Sequence, residues 1–161
     1  GTTMSINIFD NCQQNSLTSE TDQQHMERIL KEYLAKKSSF SGGVHDMLTP
    51  ELEDCNPQGG TLTLKFQVKD WMLNPMGILH GGIMTTCCDM TMGLLTKYLM
   101  QTHSCVTVNL NINFLRSAPS GSDILVTAKA EKQGRRVQFL SSKIFDAESK
   151  KQLADCTAVF M

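Results

Sequence analysis

The sequence predicts an α+β fold in which an antiparallel sheet wraps one long central helix, with a further helix at the N-terminal side. Two observations carry this expectation. After Gly82 the apolar residues recur at helical spacing as far as about Gln101. Beyond that helix the chain becomes a meander of alternating apolar and polar runs separated by turn residues, the pattern of hairpin-connected strands packed on a helix.

Residues 1–20 are polar, rich in Asn, Gln, Ser and Thr, and have no sustained apolar period, so they are expected to form a loose arm. From Thr21 the pattern changes. Met26, Ile29, Leu30, Tyr33 and Leu34 recur at helical spacing, and Thr21 with Gln24 has the spacing of a capping box, which predicts an amphipathic helix to about Lys37. Residues 38–43 end it. A weaker strand is expected between residues 47 and 55. Leu62, Leu64, Phe66 and Val68 then alternate with Thr61, Thr63, Lys65 and Gln67 after a Gln58-Gly59-Gly60 turn, the period of a half-buried strand. Beyond the long helix, Val106, Val108, Leu110, Ile112 and Phe114 alternate with Thr107, Asn109, Asn111 and Asn113. Three more strand-like runs lie near 123–132, 136–145 and 152–161, with turns at Ser120-Gly121, Gln133-Gly134 and 146–151. The organisation is an arm over residues 1–20 and a single domain over 21–161, whose core begins near residue 45. No internal repeat interrupts it.

A chain of 161 residues can bury a core without a structural metal or disulfides. The formal net charge of -1 provides no global field to draw nucleic acid or an anionic membrane, so neither is expected as a partner. The six cysteines include no C-x-x-C pair, and neighbouring histidines lack zinc-finger spacing, so no metal is expected. With no apolar leader and no run of 18 apolar residues, reduced thiols and a cytoplasmic location are the expectation.

On a helical wheel Ile83, Met84, Cys87, Cys88, Met90, Leu94, Leu95, Tyr98 and Leu99 share one broad arc. The opposite arc holds Thr85, Thr86, Asp89, Gly93, Thr96 and Lys97. A solvated face would be filled with Lys, Glu and Arg, yet Asp89 and Lys97 are the only charges between residues 81 and 101. The second face is therefore expected to be covered too. Enclosing a carboxylate costs several kcal/mol unless it is paired or hydrogen-bonded, which a functional role would explain. The other reading is an Asp satisfied by local Thr hydroxyls or facing solvent.

A loop, Asn74-Pro75-Met76-Gly77-Ile78-Leu79-His80-Gly81-Gly82, feeds directly into the start of this helix. First-turn N–H groups lack intrahelical acceptors and sit at the positive end of the macrodipole, which favours an anion or a developing oxyanion. Gly81 and Gly82 leave that end sterically open.

The pattern Asn-x5-His-Gly-Gly-x6-Asp, set between a strand and a long helix, resembles the signature of hotdog-fold acyl-CoA thioesterases of the phenylacetic-acid-degradation, or PaaI-like, branch. The resemblance spans about residues 45–161 and is specific at 74–89. It implies that Asp89 is the general base, or the nucleophile, of thioester hydrolysis. It further implies that the Gly81 N–H, helped by Asn74, polarises the thioester carbonyl, that His80 lies close to the thioester, and that Gly82 adjoins the substrate. Thr107 stands where the family often carries a hydroxyl that positions water; in some relatives that residue is Ser. The implied partner is acyl-CoA, without a cofactor. Arg116, Lys132, Arg135 and Arg136 are the candidates for meeting CoA phosphates. Trp71, Met72 and Leu73 are read either as acyl-pocket lining or as core.

Gly81 and Asp89 are separated by about 12 Å along a helix, too far for one chain to bring both to one carbonyl. A site shared within a homodimer, or within a dimer of dimers, is expected. The competing readings are a non-catalytic acyl-CoA-binding or sensing domain and a hydroxyacyl-thioester dehydratase. The second needs a His working with an acidic partner on the helix.

Overall fold

Alternation of large apolar and polar side chains gives the inner strands one dry face, and six strands form one sheet in the computed structural model, which describes residues 19–36 and 42–161. The elements are α1 (Asp22–Ala35), α2 (Val44–Leu48), β1 (Glu51–Asn56), β2 (Thr61–Gln67), α3 (Gly81–Met100), β3 (Thr107–Phe114), β4 (Asp123–Gln133), β5 (Gln138–Asp146) and β6 (Gln152–Phe160). A single 3-10 turn, Asp70–Met72, precedes the loop into α3. Every strand pairing is antiparallel, and the order β1-β2-β4-β5-β6-β3 makes β1 and β3 the edges.

The expected arm of residues 1–20 lies, except for residues 19 and 20, outside the described residues, as do residues 38–41 of the expected break. Helix α1 begins as its sequence implies: Gln24 N–H donates to Thr21 Oγ1 (3.2 Å) and Thr21 N–H donates back to Gln24 Oε1 (3.1 Å). It ends at Ala35, two residues short of the expected Lys37. Helix α2 was not expected, and it delays β1. Thr49 caps it in the left-handed region (φ 44°), so pairing starts at Glu51 rather than near residue 47.

The core lies between α3 and the concave face of the sheet. Leu64, Val126, Ile144 and Ala154 form one row of successive Cα partners across β2, β4, β5 and β6, and Leu62, Ala128, Ser142 and Cys156 form the next. Met84, Cys87, Cys88, Met92 and Leu95 press down from α3, all buried. Small side chains at Ala128, Ser142, Ala154 and Ala158 let the helix sit close to the strands.

The packing covers the second face of α3 only in part. Thr96 is fully buried, as expected of a covered face, and Thr91 is buried too. Their hydroxyls donate to the Met92 and Cys87 carbonyls (2.9 and 2.8 Å), so neither carries an unsatisfied group into the core. The face bearing Asp89, Gly93 and Lys97 is only half-buried, not covered as expected.

Strand β3 carries a further departure. Its pairing with β6 shifts register between Thr107 and Asn109, and this bulge turns Thr107 to the same side as its Cα partner Phe160, which is buried. Simple alternation would have kept Thr107 with Asn109, Asn111 and Asn113 on the outer face. On this edge Val106 and Val108 are each 58% exposed and Phe114 55%, although alternation marks them as the strand's inner residues.

Replacing Thr21 by Ala removes one half of the α1 capping box outright and leaves Gln24 without its reciprocal partner. The expected cost is about 1 kcal/mol, read as a lower denaturant midpoint at unchanged slope.

Candidate active site

The loop before α3 is held shut by its own backbone. Leu73 and Leu79 form an isolated antiparallel bridge, Asn74 N–H donates to the Ile78 carbonyl (2.8 Å), and Gly77 takes a positive φ of 77° to complete the turn. Within it the Asn74 side-chain oxygen accepts from Met76 N–H at 2.9 Å and from Ile78 N–H at 3.4 Å. With the oxygen committed to the loop, the Asn74 amide nitrogen is the half available for a ligand.

His80 is the N-cap of α3. Its Nδ1 accepts from Gly82 N–H at 2.8 Å, and its backbone carbonyl accepts from Ile83 and Met84 N–H at 2.9 and 3.1 Å. Accepting at Nδ1 makes Nε2 the protonated nitrogen of the neutral ring, and His80 is exposed. Of the four first-turn N–H groups, three are thus satisfied by one residue. The fourth, Gly81 N–H, has no acceptor among the described residues. It borders a cavity of about 320 Å³ together with Asn74, Met84, Phe114, Arg116 and Ser117. A Cβ built on Gly81 would come to 3.1 Å from the Phe114 ring, so the helix start and the end of β3 meet closely here. Gly82 faces the other way: its Cβ would meet His80 Nδ1 at 3.0 Å.

Two turns further along α3, Asp89 is half-buried. Thr107 Oγ1 donates to its Oδ1 at 2.5 Å, a bond made possible by the β3 bulge. Asp89 Oδ2 has no partner among the described residues. Asp89 and Thr107 line a second, larger groove of about 1060 Å³ running between α3 and the α1–α2 side of the molecule. Met90, Gly93, Leu94, Lys97 and Phe160 continue it, with Tyr33 and Leu34 on the α1 wall.

The predicted residues therefore fall into two sets within one chain. Asn74, Gly81 and Arg116 share the small cavity; Asp89 and Thr107 share the groove; the two linings have no residue in common. His80 and Gly82 cap the helix between them. Arg116, in the bend after β3, is tied to the start of β6 by a bond from Nη1 to the Gln152 carbonyl (2.8 Å). Arg135 and Arg136 are exposed in the turn between β4 and β5 and line neither cavity of the chain, and Lys132, near the end of β4, does not line one either. Of the 71–73 segment, Met72 is core, Leu73 packs against the core and Trp71 is 43% exposed; none lines the groove.

Neither Cys105 nor Cys87 competes for the nucleophile's role. Cys105 lines the groove, but burial raises its thiol above the ordinary range, only partly countered by Lys97. Burial pushes Cys87 up to about 12. Both stay protonated at neutral pH, and the thiolate is the reactive form. The groove residues on α1, with Gly93 and Lys97, were not singled out from the sequence as ligand contacts. Lys97, one of only two charges on α3, was the one visible signal.

The sequence model of the Thioesterase superfamily matches residues 76–152. Acyl-coenzyme A thioesterase THEM4 of Bos taurus is 30% identical over 135 residues, covering 83% of this chain and 54% of that protein. Acyl-coenzyme A thioesterase 13 of Homo sapiens is 32% identical over 98 residues, covering 59% of this chain and 68% of that protein. The chain thus spans about half the length of the first relative and about two thirds of the second. A phenylacetic acid degradation-related protein from Ralstonia eutropha matches in structure with a TM-score of 0.71 at 26% identity, over 82% of this chain and 98% of that one. With the helix-in-sheet architecture and the loop-to-helix motif already in place, the chain has the hotdog fold and belongs to the thioesterase superfamily, in its PaaI-like branch.

Proposed function

We propose that the protein is an acyl-CoA thioesterase, hydrolysing a thioester to free CoA and a carboxylic acid at a site shared by two copies of the chain. The observation that carries this reading is Asp89 itself: a groove-lining carboxylate fixed through one oxygen by Thr107, with the other oxygen open to the groove. Both similar proteins named as acyl-coenzyme A thioesterases support the substrate class.

In this mechanism Asp89 Oδ2 takes a proton from a water that Thr107 helps to hold. The water oxygen attacks the thioester carbonyl, and the charge that builds on the carbonyl oxygen is met by the Gly81 N–H and the Asn74 amide of the other copy. Collapse of the tetrahedral intermediate breaks the C–S bond, and the proton held by Asp89 passes to the departing CoA sulfur. Attack by Asp89 itself, through an anhydride, uses the same groups. Base catalysis contributes roughly 10²- to 10⁴-fold and a single oxyanion donor roughly 10²- to 10³-fold. His80 Nε2 is a further donor beside the carbonyl. The dehydratase alternative asks His80 to exchange protons with an acid on the helix, whereas Asp89 lies in the groove and His80 serves as cap.

The shared site is a consequence of distance. Asp89 binds Thr107 at one end of β3 and Gly81 meets the Phe114 ring at the other, seven residues and roughly 24 Å away along the strand. Pairing two β3 edges antiparallel about a two-fold axis brings the Thr107 end of one copy to the Phe114 end of the other. It also covers Val106, Val108 and Phe114, which the single chain exposes. A dimer of dimers is compatible with the same edge pairing. Arg116, Arg135 and Arg136 are the cations assigned to CoA phosphates. No helix among the described residues is long and apolar enough to cross a membrane. The five described cysteines are free, in keeping with a reducing, cytoplasmic setting.

Asp89→Ala is expected to fold and dimerise while losing nearly all turnover; retention of more than a small fraction of wild-type kcat in the purified variant removes Asp89 as base or nucleophile. Gly82→Val drives a side chain against the His80 ring and is expected to lower kcat by more than tenfold with about 1 kcal/mol lost from the cap. Unchanged kinetics would take His80 and this helix start out of the reaction. Mixing inactive Asn74→Ala and Asp89→Ala subunits gives a heterodimer with one doubly defective and one intact site, so activity returns to roughly half per mixed dimer. Verified heterodimers that stay inactive exclude the shared site.

A further inference from the structure

Helix α1 lies outside the segment matched by the family model, yet its last turns form a wall of the Asp89 groove. We infer that α1 and the Asp89–Gly93–Lys97 face of α3 together form a track for a straight acyl chain, ended by the Tyr33–Lys97 pair. The inference rests on the thioesterase reading for where the carbonyl sits, and it adds which residues decide acyl length.

Asp89, Gly93 and Lys97 are spaced four residues apart and so lie in one line along α3, and all three line the groove. At the middle position there is no side chain. A Cβ built on Gly93 would meet Phe160 Cε1 at 3.4 Å, which is ordinary contact, so packing does not demand glycine there. Its backbone conformation does not demand it either, since Gly93 lies within the helix and is absent from the positive-φ glycines. In a helix interior glycine is less favourable than alanine. What the missing side chain does provide is an open floor between Asp89 and the next turn.

The α3 and β6 side of the strip is apolar, although His45, Asp46 and His103 also line the groove. Met90 and Leu94 flank the line on α3, Phe160 closes the sheet side and Leu34 faces it from α1. At the far end the Lys97 ammonium lies 4.8 Å from the centre of the Tyr33 ring, a cation–π contact that bridges the two walls of the groove. From Asp89 to Lys97 is about 12 Å along the helix axis, room for an extended chain of on the order of ten carbons. Tyr33 and Lys97 therefore set the length, and Gly93 keeps the path open.

The test is a chain-length profile for wild type, Gly93→Leu and Tyr33→Ala, using saturated acyl-CoAs from butyryl to palmitoyl for kcat/KM. The matching non-hydrolysable alkyl-CoA thioethers give Kd. Gly93→Leu is expected to lower the long-to-short ratio by about tenfold or more in both readouts, and Tyr33→Ala to move the optimum to longer chains. Variant profiles that superimpose on wild type overturn the track while leaving the thioesterase reading intact. A shift in only one variant overturns the role given to the other residue. If no acyl-CoA is turned over but the thioether affinities shift as stated, the track stands and the hydrolase reading falls.

Discussion

A straight α-helix holds its own first turn about 12 Å from a residue eight positions on, and no side-chain rotation closes that gap. In α3 the first turn carries the one unclaimed N–H, at Gly81, and the eighth position beyond it carries Asp89. Every other arrangement around the site answers to this separation. It puts the donors and the carboxylate in two different cavities of one chain. In the proposed dimer, β3, which touches Asp89 through Thr107 at one end and Gly81 through Phe114 at the other, joins the halves from two copies, and the exposed apolar residues of that edge find a partner.

The N-terminus of α3 shows how a general property of helices becomes a specific one. Four first-turn N–H groups would ordinarily share the positive end of the macrodipole among water or caps. Here His80 accepts from Gly82 with its ring and from Ile83 and Met84 with its carbonyl, so the field of the helix end is presented through a single donor. The Asn74 side chain behaves in the same way. By spending its oxygen on Met76 and Ile78 it fixes the direction in which its amide hydrogens point. Both residues are thereby oriented by the chain's own hydrogen bonds, which is the condition for donors to act with little reorganisation.

Most of the fold was legible because its signals are local. The capping box at Thr21 and Gln24, the alternation in β2 and the helical period after Gly82 each express burial of one face, and each element formed within a few residues of expectation. The signature at 74–89 was legible for a similar reason: a loop, a cap and a helix start are contiguous in sequence. The departures have other sources. A wheel cannot tell that Thr96 is fully covered while Asp89 and Lys97 on the same face stay half-buried, because that depends on where the sheet reaches. The β3 bulge that turns Thr107 toward Asp89 depends on register with β6, which alternation within one strand does not encode. Helix α2 was hidden by its length of five residues. Among the cations, Arg135 and Arg136 stood out beside a glycine turn, whereas Lys97, on the face of α3 that lines the groove, gave a weaker signal.

How deeply α3 sits is the remaining link between packing and chemistry. Beneath the helix the row Leu62, Ala128, Ser142 and Cys156 places its small members where Cys88 comes down, and the contact of Cys88 with Cys156, together with burial, holds the Cys88 thiol far above its ordinary range. A neutral thiol behaves there as a compact, weakly polar filler. Ser142, buried among these thiols, completes the layer without adding bulk. Cys88 is the residue immediately before Asp89, so the height of this layer is transmitted directly to the carboxylate. Larger side chains in the row would lift α3 away from the sheet and draw Asp89 away from Thr107, whose own position is fixed by pairing with Phe160. The short hydrogen bond between them therefore depends on two independent pieces of packing: small residues that lower the helix, and a bulge that turns the strand to meet it.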